Sequence, residues 1–255
     1  MFPILQLGPL AIQLPGLFLL VGLWVAISLV EKEASRRGLS STTLSNLILL
    51  GLVVGVVGAR LWYALRFLDV YLENPLSLFS LNPSTLASEE GILTGLLAAW
   101  IYGQRKGLPL WSTLDAMTPG LAVFGIALGL SHLSSGDAFG APSSVPWAIE
   151  LWGEYRHPSQ VYEILLACLI LFVIWRISTW DAFPGFTFLS WVSMAAGTRL
   201  FLETFRGDSF IIFGSVRSAQ VASLVVLMGA MWGLHLLGRN RPTLKDRAHS
   251  SGPTG

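Results

Sequence analysis

Seven apolar stretches alternate with polar breaks along the chain, at about residues 14–30, 45–66, 91–103, 114–134, 160–177, 184–204 and 215–237. A helix needs about 20 apolar residues to cross a hydrocarbon core. Most of the stretches approach that length; the third is short, with an ambiguous start. The clearest breaks are Glu31-Lys32-Glu33, Gly103-Gln104-Arg105-Lys106-Gly107 and a stretch from Asp137 to Pro158 rich in Gly, Pro and Ser. Backbone N–H and C=O groups find no water in lipid, so such runs predict helices and not an open sheet. The expected fold class is an all-α integral membrane protein of seven transmembrane helices. Val53-Val54-Gly55-Val56-Val57-Gly58-Ala59 places small residues at helical spacing, which permits close helix contact. There is no internal repeat. Residues 1–238 are expected to form the transmembrane domain, and the polar segment 239–255 a disordered tail.

Composition agrees. Of 255 residues, 53% are hydrophobic and only 12% charged, with mean hydropathy +0.63; a soluble domain carries about 25% charged residues. The net charge of +1 does not point to nucleic acid, because the basic residues fall in short clusters between apolar runs. Those clusters set an orientation. Lys32, Arg36, Arg37, Arg105, Lys106 and Arg176 follow odd-numbered stretches, and Arg239, Arg241, Lys245 and Arg247 lie in the tail, so ten of the sixteen basic residues share one side. The positive-inside rule makes that side cytoplasmic and puts the N-terminus outside. Asp69, Glu73, Glu89, Glu90, Asp137, Glu150 and Glu154 fall on the other side. Residues 1–16 lack the basic flank and small-residue cleavage site of a signal peptide, so the first run is expected to be retained as a helix. With Cys168 the only cysteine, no internal disulfide and no cysteine-built metal site can form; no metal or cofactor is expected.

Ionisable groups within membrane stretches are costly and mark bundle interiors or wet cavities. Arg60 lies within the second stretch, either buried there or snorkelling to an interface. Arg199, Glu203 and Arg206 recur at i, i+4 and i+7, which predicts one helical face. They form either a structural ion pair or an anion site, since two guanidiniums with one carboxylate suit a phosphate. Arg156-His157-Pro158-Ser159-Gln160-Val161-Tyr162-Glu163 brings dense polarity to the start of the fifth stretch. Pro158 is placed as the first helical residue, and Gln160 and Glu163 share a face.

Residues 156–163 resemble the Arg-His-Pro-Thr/Ser-Gln-Leu-Tyr-Glu motif of the prolipoprotein diacylglyceryl transferases. Gly58-Ala59-Arg60-Leu61-Trp62-Tyr63 is similar to that family's Gly-Gly/Ala-Arg-Leu-x-Tyr segment. Thr198-Arg199-Leu200-Phe201-Leu202-Glu203-Thr204-Phe205-Arg206 follows its Phe-Arg-Phe-x-x-Glu-x-x-Arg pattern, and Ser218-Ala219-Gln220 falls at its Met-Gly-Gln. The resemblance implies seven helices with the N-terminus outside, in the bacterial plasma (inner) membrane. It also implies transfer of a diacylglyceryl group from phosphatidylglycerol to the lipobox cysteine of a prolipoprotein, forming a thioether. The partners implied are that anionic phospholipid and the prolipoprotein signal peptide. Arg199 would hold the lipid phosphate with Glu203 orienting it, and Arg60, Arg156, His157, Gln160, Glu163 and Arg206 would complete the substrate site.

The chain departs from the family pattern at specific positions. The signature Gly-Arg-Ile-Gly-Asn-Phe-x-Asn-Gly-Glu-x-x-Gly corresponds to 128–140, where Gly136, Asp137 and Gly140 keep its end, with Asp for Glu. Its arginine falls at Gly129, or at Leu130 if the alignment slips by one, the family histidine at Leu93 and a family tyrosine at Pro15. His132 replaces the signature's first asparagine and could supply a base near neutral pH; alternatively, Asp137 or a loop carbonyl satisfies its ring. The expected catalytic set is His132, Arg199 and Asp137. The other reading is a catalytically impaired homologue serving as a phospholipid-binding or scaffold subunit. A retinal pigment is excluded, because Lys32, Lys106 and Lys245 are the only lysines and none lies within a stretch. An ion transporter is disfavoured, since no repeat or pair of broken helices marks a midplane site.

Overall fold

The computed structural model describes residues 4–7, 10–79, 82, 85–180, 182–207, 211–213 and 216–239. The tail beyond Arg239, expected to be disordered, lies outside them. Each apolar stretch is helical over most of its length. The helices are α1 (Leu14–Arg36), α2 (Ser41–Arg66), α3 (Leu68–Glu73), α4 (Ser88–Arg105), α5 (Leu110–Ser135), α6 (Ser159–Ile177), α7 (Phe186–Leu202) and α8 (Ser218–Arg239). Five of them, α1, α2, α5, α6 and α8, are long and apolar enough to cross a bilayer. The apolar α7 has 17 residues, and α4 carries Glu89, Glu90 and Arg105 at its ends. The fold is thus α-helical and of membrane type. Three antiparallel hairpins that the apolar pattern did not predict stand outside the helices, one before α1 and two between later helices: β1 (Ile4–Leu7) with β2 (Leu10–Gln13), β3 (Ile149–Leu151) with β4 (Glu154–Arg156), and β5 (Ile211–Phe213) with β6 (Val216–Arg217). Their strands of two to four residues are too short to show a period of two.

Contacts divide the chain into two units, residues 30–113 and residues 1–29 with 114–255. In the first, α2 starts at Ser40, whose hydroxyl accepts the Thr43 N–H at 3.2 Å. It packs on α4 through glycines. A Cβ at Gly95 would lie 2.5 Å from the Gly51 carbonyl oxygen, and one at Gly91 would lie 2.5 Å from Ala59 Cβ. The small-residue spacing in α2 therefore does set a close helix contact. The Arg60 guanidinium donates to the Leu78 carbonyl at 2.9 Å, the Thr85 carbonyl at 3.0 Å, the Thr85 hydroxyl and the Ser77 carbonyl. It ties the segment after α3 back to α2.

In the second unit, Ala122, Ile170, Ile174 and Ile177 form a core joined by Phe186, Trp191 and Met194, uniting α5, α6 and α7. Gly22 lets α1 meet α5, since a Cβ there would lie 2.1 Å from Ala127 Cβ. Asp115 of α5, fully buried, accepts the Gly185 N–H at 2.7 Å and the Phe188 N–H at 2.8 Å. It caps α7 from a neighbouring helix, satisfying donors that α7 cannot pair internally.

Candidate functional site

The second unit gathers three of the sequence motifs through backbone hydrogen bonds. After α5 the chain turns at Gly136 (φ 85°), whose N–H returns to the His132 carbonyl at 2.9 Å. This left-handed turn suits glycine and closes the helix end. The following segment, 139–142, runs between two others. On one side the Ala141 N–H donates to the Phe205 carbonyl at 2.7 Å and the Gly207 N–H to the Phe139 carbonyl at 2.9 Å. On the other the His157 N–H donates to the Ala141 carbonyl at 3.0 Å. Bridges Gly140–Arg206 and Pro142–Arg156 complete the junction. A Cβ on Gly140 would lie 2.1 Å from the His157 carbonyl oxygen, so only glycine allows this approach.

The start of α6 is fastened to the same turn. Ser159 Oγ donates to the Ala138 carbonyl at 2.5 Å, and Gln160 Nε2 donates to the Asp137 carbonyl at 2.9 Å. Both side chains are buried. They hold Ala138 in a left-handed conformation (φ 56°), which costs a non-glycine residue about 1–2 kcal/mol. Pro158 caps α6 and Ser159 is its first residue, one position later than expected. Gln160 and Glu163 reach different partners: Glu163 Oε2 lies 2.9 Å from His132 Nδ1 on α5. Among the described residues His132 is therefore paired with Glu163, and not with Asp137 or a carbonyl. Asp137 is exposed and accepts from the Ser135 hydroxyl at 2.7 Å.

Gly129, where the signature has arginine, is buried against α6. A Cβ there would lie 2.8 Å from Ile164 Cγ1 and 3.6 Å from Glu163 Cγ. Leu93 is 67% exposed on α4 in the other unit, and Pro15 is partly buried in the first turn of α1.

Arg199 near the end of α7 lies 3.4 Å from Glu203 Oε2. The guanidinium side chain is 42% exposed, whereas the Glu203 carboxylate is fully buried and neither oxygen has a hydrogen bond among the described residues. Arg206 does not extend the helical face of Arg199 and Glu203 as its spacing predicted. The helix ends at Leu202, Glu203 is its cap, and Arg206 stands in the bridge to Gly140. This turn is held by Arg217, a residue that sequence reasoning missed. Its Nη1 donates to the Glu203 carbonyl and, at 2.6 Å, to the Arg206 carbonyl. The available signal was its place beside Ser218-Ala219-Gln220; Gln220 Oε1 accepts the Arg217 N–H at 3.3 Å. Arg156 donates to the Gly140 carbonyl at 3.3 Å and to Glu154 at 2.6 Å, and lies over Phe139. Phe205 packs edge to face with His157 and with Tyr162, those two rings are tilted to each other, and Tyr162 accepts from Trp147 Nε1 at 2.6 Å. Arg60 belongs to the other unit. Among the described residues no cluster of His, Cys, Asp or Glu has the makings of a metal site.

The arrangement offers a half-exposed cation backed by a buried carboxylate and a histidine oriented by a second carboxylate. Comparison with known proteins gives it a context. A family described as prolipoprotein diacylglyceryl transferase matches residues 3–236. The phosphatidylglycerol–prolipoprotein diacylglyceryl transferase of Solidesulfovibrio magneticus is 32% identical, covering 93% of this chain and 93% of that protein. The enzymes of the same name from Synechococcus elongatus (28% identical, 91% and 85% covered) and Halalkalibacterium halodurans (26% identical, 89% and 83% covered) are similar over comparable spans.

Proposed function

The chain belongs to the prolipoprotein diacylglyceryl transferase family, and from that premise we propose that it moves a diacylglyceryl group from phosphatidylglycerol to the lipobox cysteine of prolipoproteins. The reaction is a step of lipoprotein biosynthesis and would take place in the bacterial plasma membrane, in a seven-span protein with its N-terminus outside. The observation that carries the reading is the Arg199–Glu203 pair. Among the described residues Arg199 has one ionic partner, at 3.4 Å, and its side chain is 42% exposed, so donors remain for a phosphodiester. Glu203, buried behind it, fixes the position of the cation.

Transfer to sulfur demands a thiolate and a phosphate able to leave with the bonding electrons. Arg199 serves the second demand, its guanidinium holding the phosphate as charge grows on it. Arg206 and Arg156 line the junction that carries Arg199's helix end. His157, Gln160 and Glu163 shape the start of α6, and Asp137 offers an exposed carboxylate beside it. Arg60 contributes by fastening Ser77, Leu78 and Thr85 to α2. Purified protein in phosphatidylglycerol vesicles should convert a lipobox peptide to its diacylglyceryl thioether, followed by mass, and should restore growth to a strain depleted of its own transferase. Failure of both, where an S. magneticus-type enzyme succeeds, would leave the chain as a lipid-binding homologue.

A further inference from the structure

The loss of the signature arginine at Gly129 and the gain of His132 are one change, because both residues face the same turn of α6. Gly129 lets Ile164 approach so closely that a Cβ would meet its Cγ1 at 2.8 Å. That approach brings Glu163, the residue before Ile164, to His132, three positions after Gly129. A side chain at 129 would push against Ile164 and lie in contact with Glu163. The Glu163 carboxylate can only accept when ionised, so it selects the tautomer of neutral His132 that carries its proton on Nδ1. The lone pair then stands on Nε2, which has no hydrogen-bond partner among the described residues. The His132 side chain is 25% exposed and that of Glu163 19%, so neither is closed off from the surface. Glu163 is the only ionisable group that the described residues hydrogen-bond to this ring.

We propose that His132 is the general base of this transferase and Glu163 its positioning residue, a carboxylate–imidazole pair that replaces the base absent at Leu93. The inference rests on the transferase reading above. His132 Nε2 takes the proton from the lipobox thiol, and the thiolate sulfur attacks the glyceryl carbon that bears the phosphate. The S–C bond forms as the C–O bond breaks, and the electron pair leaves on glycerol phosphate at Arg199. The imidazolium then returns its proton to that phosphate monoester or to water, so the ring ends neutral. The pair lies at the start of α6, where Ser159 and Gln160 bind the turn at Asp137–Ala138. The segment after that turn is hydrogen-bonded to residues 205–207, just beyond Glu203.

The test compares two lipobox peptides, one with cysteine and one with selenocysteine, on purified full-length protein in phosphatidylglycerol vesicles. A selenol ionises well below neutral pH and needs no base. His132→Asn, which installs the signature's own residue, is expected to lower kcat on the cysteine peptide by about 100-fold or more, within the range of general-base catalysis. On the selenocysteine peptide its kcat should return to within about threefold of the unsubstituted protein. Glu163→Gln should lose about tenfold on cysteine with the same rescue and an unchanged KM, and Glu163→Asp should recover part of the loss. His132→Gln provides a second probe if the first variant does not fold, as judged by thermal unfolding in detergent. Equal losses on both nucleophiles, or no loss on cysteine, would overturn the pair as a base while leaving the transferase reading intact. Absence of turnover by the unsubstituted protein on both peptides would overturn that reading, and the proposal with it.

Discussion

A buried carboxylate without a hydrogen bond is an unstable arrangement unless a cation stands close, and Glu203 has such a cation in Arg199. Removing one partner strands the other. Arg199→Ala is expected to lower stability by about 1–3 kcal/mol, less than for a fully desolvated pair because the guanidinium is half in solvent. Adding Glu203→Gln should recover part of that loss in a double-mutant cycle read by thermal unfolding. Both variants should co-purify severalfold less phosphatidylglycerol relative to zwitterionic lipid, which separates binding from folding; an unchanged lipid profile would make the pair purely structural. Gly129→Arg should destabilise by about 1–3 kcal/mol through overpacking against Ile164, measured in the same way. At this scale the sequence showed which residues were unusual but not whom they meet. His132 and Glu163 are 31 positions apart, and nothing local distinguishes Glu163 from Asp137 as the partner of that ring. Arg217 stayed hidden because its work is done on backbone carbonyls, which carry no sequence signature.

Helices were the most legible elements, since an apolar run in lipid has no other way to pair its backbone. Their ends were less so. Arg199, Glu203 and Arg206 fit a helical period, yet α7 stops at Leu202 because residues 205–207 bond to 139–141. A tertiary interaction, invisible to periodicity, displaced the last turn. The same holds at the start of α7, where Gly185 (φ 95°) and a side chain 70 residues away form the cap. Asp115→Ala would leave the Gly185 and Phe188 N–H groups without their acceptor. It should cost about 1–3 kcal/mol, and hydrogen exchange at those two amides should rise selectively; uniform protection would show that another group caps the helix. In the other unit, Gly95→Leu should separate α4 from α2, because its Cβ has a carbonyl oxygen at 2.5 Å and no flexible side chain to displace. Loss of folded protein on extraction into mild detergent is the expected outcome, with Gly197→Leu on α7, where a Cβ meets nothing within 4 Å, as the tolerated control.

In the molecule as a whole, several of the most buried side chains among the described residues are polar, while many large apolar ones lie on the surface. Gln160, Glu203, Thr118 and Asp115 are among its most buried side chains, whereas Leu20, Trp24, Leu165, Val225 and Trp232 lie mainly exposed. So many exposed large apolar side chains are unlike a soluble surface, and lipid is the solvent that makes them favourable. Which way such a protein faces is not set by packing but by its charged loops, so the sequence is the better guide. Basic residues concentrate after the first, third and fifth apolar stretches and in the tail, and retention of Lys and Arg on the cytoplasmic side would put the N-terminus out and the C-terminus in. Five helices satisfy the length and hydropathy of a span without qualification. That orientation would require an odd number of spans, which α4 and α7 would bring to seven. Replacing Cys168 gives a background without thiols, into which single cysteines can be placed. Trp152→Cys, in the exposed turn between β3 and β4, should react with an impermeant maleimide in intact cells. Ser250→Cys should react only after the membrane is opened. Labelling at 250 in intact cells would reverse the orientation, and protection at both positions would put the two on the same side and require an even number of crossings between them.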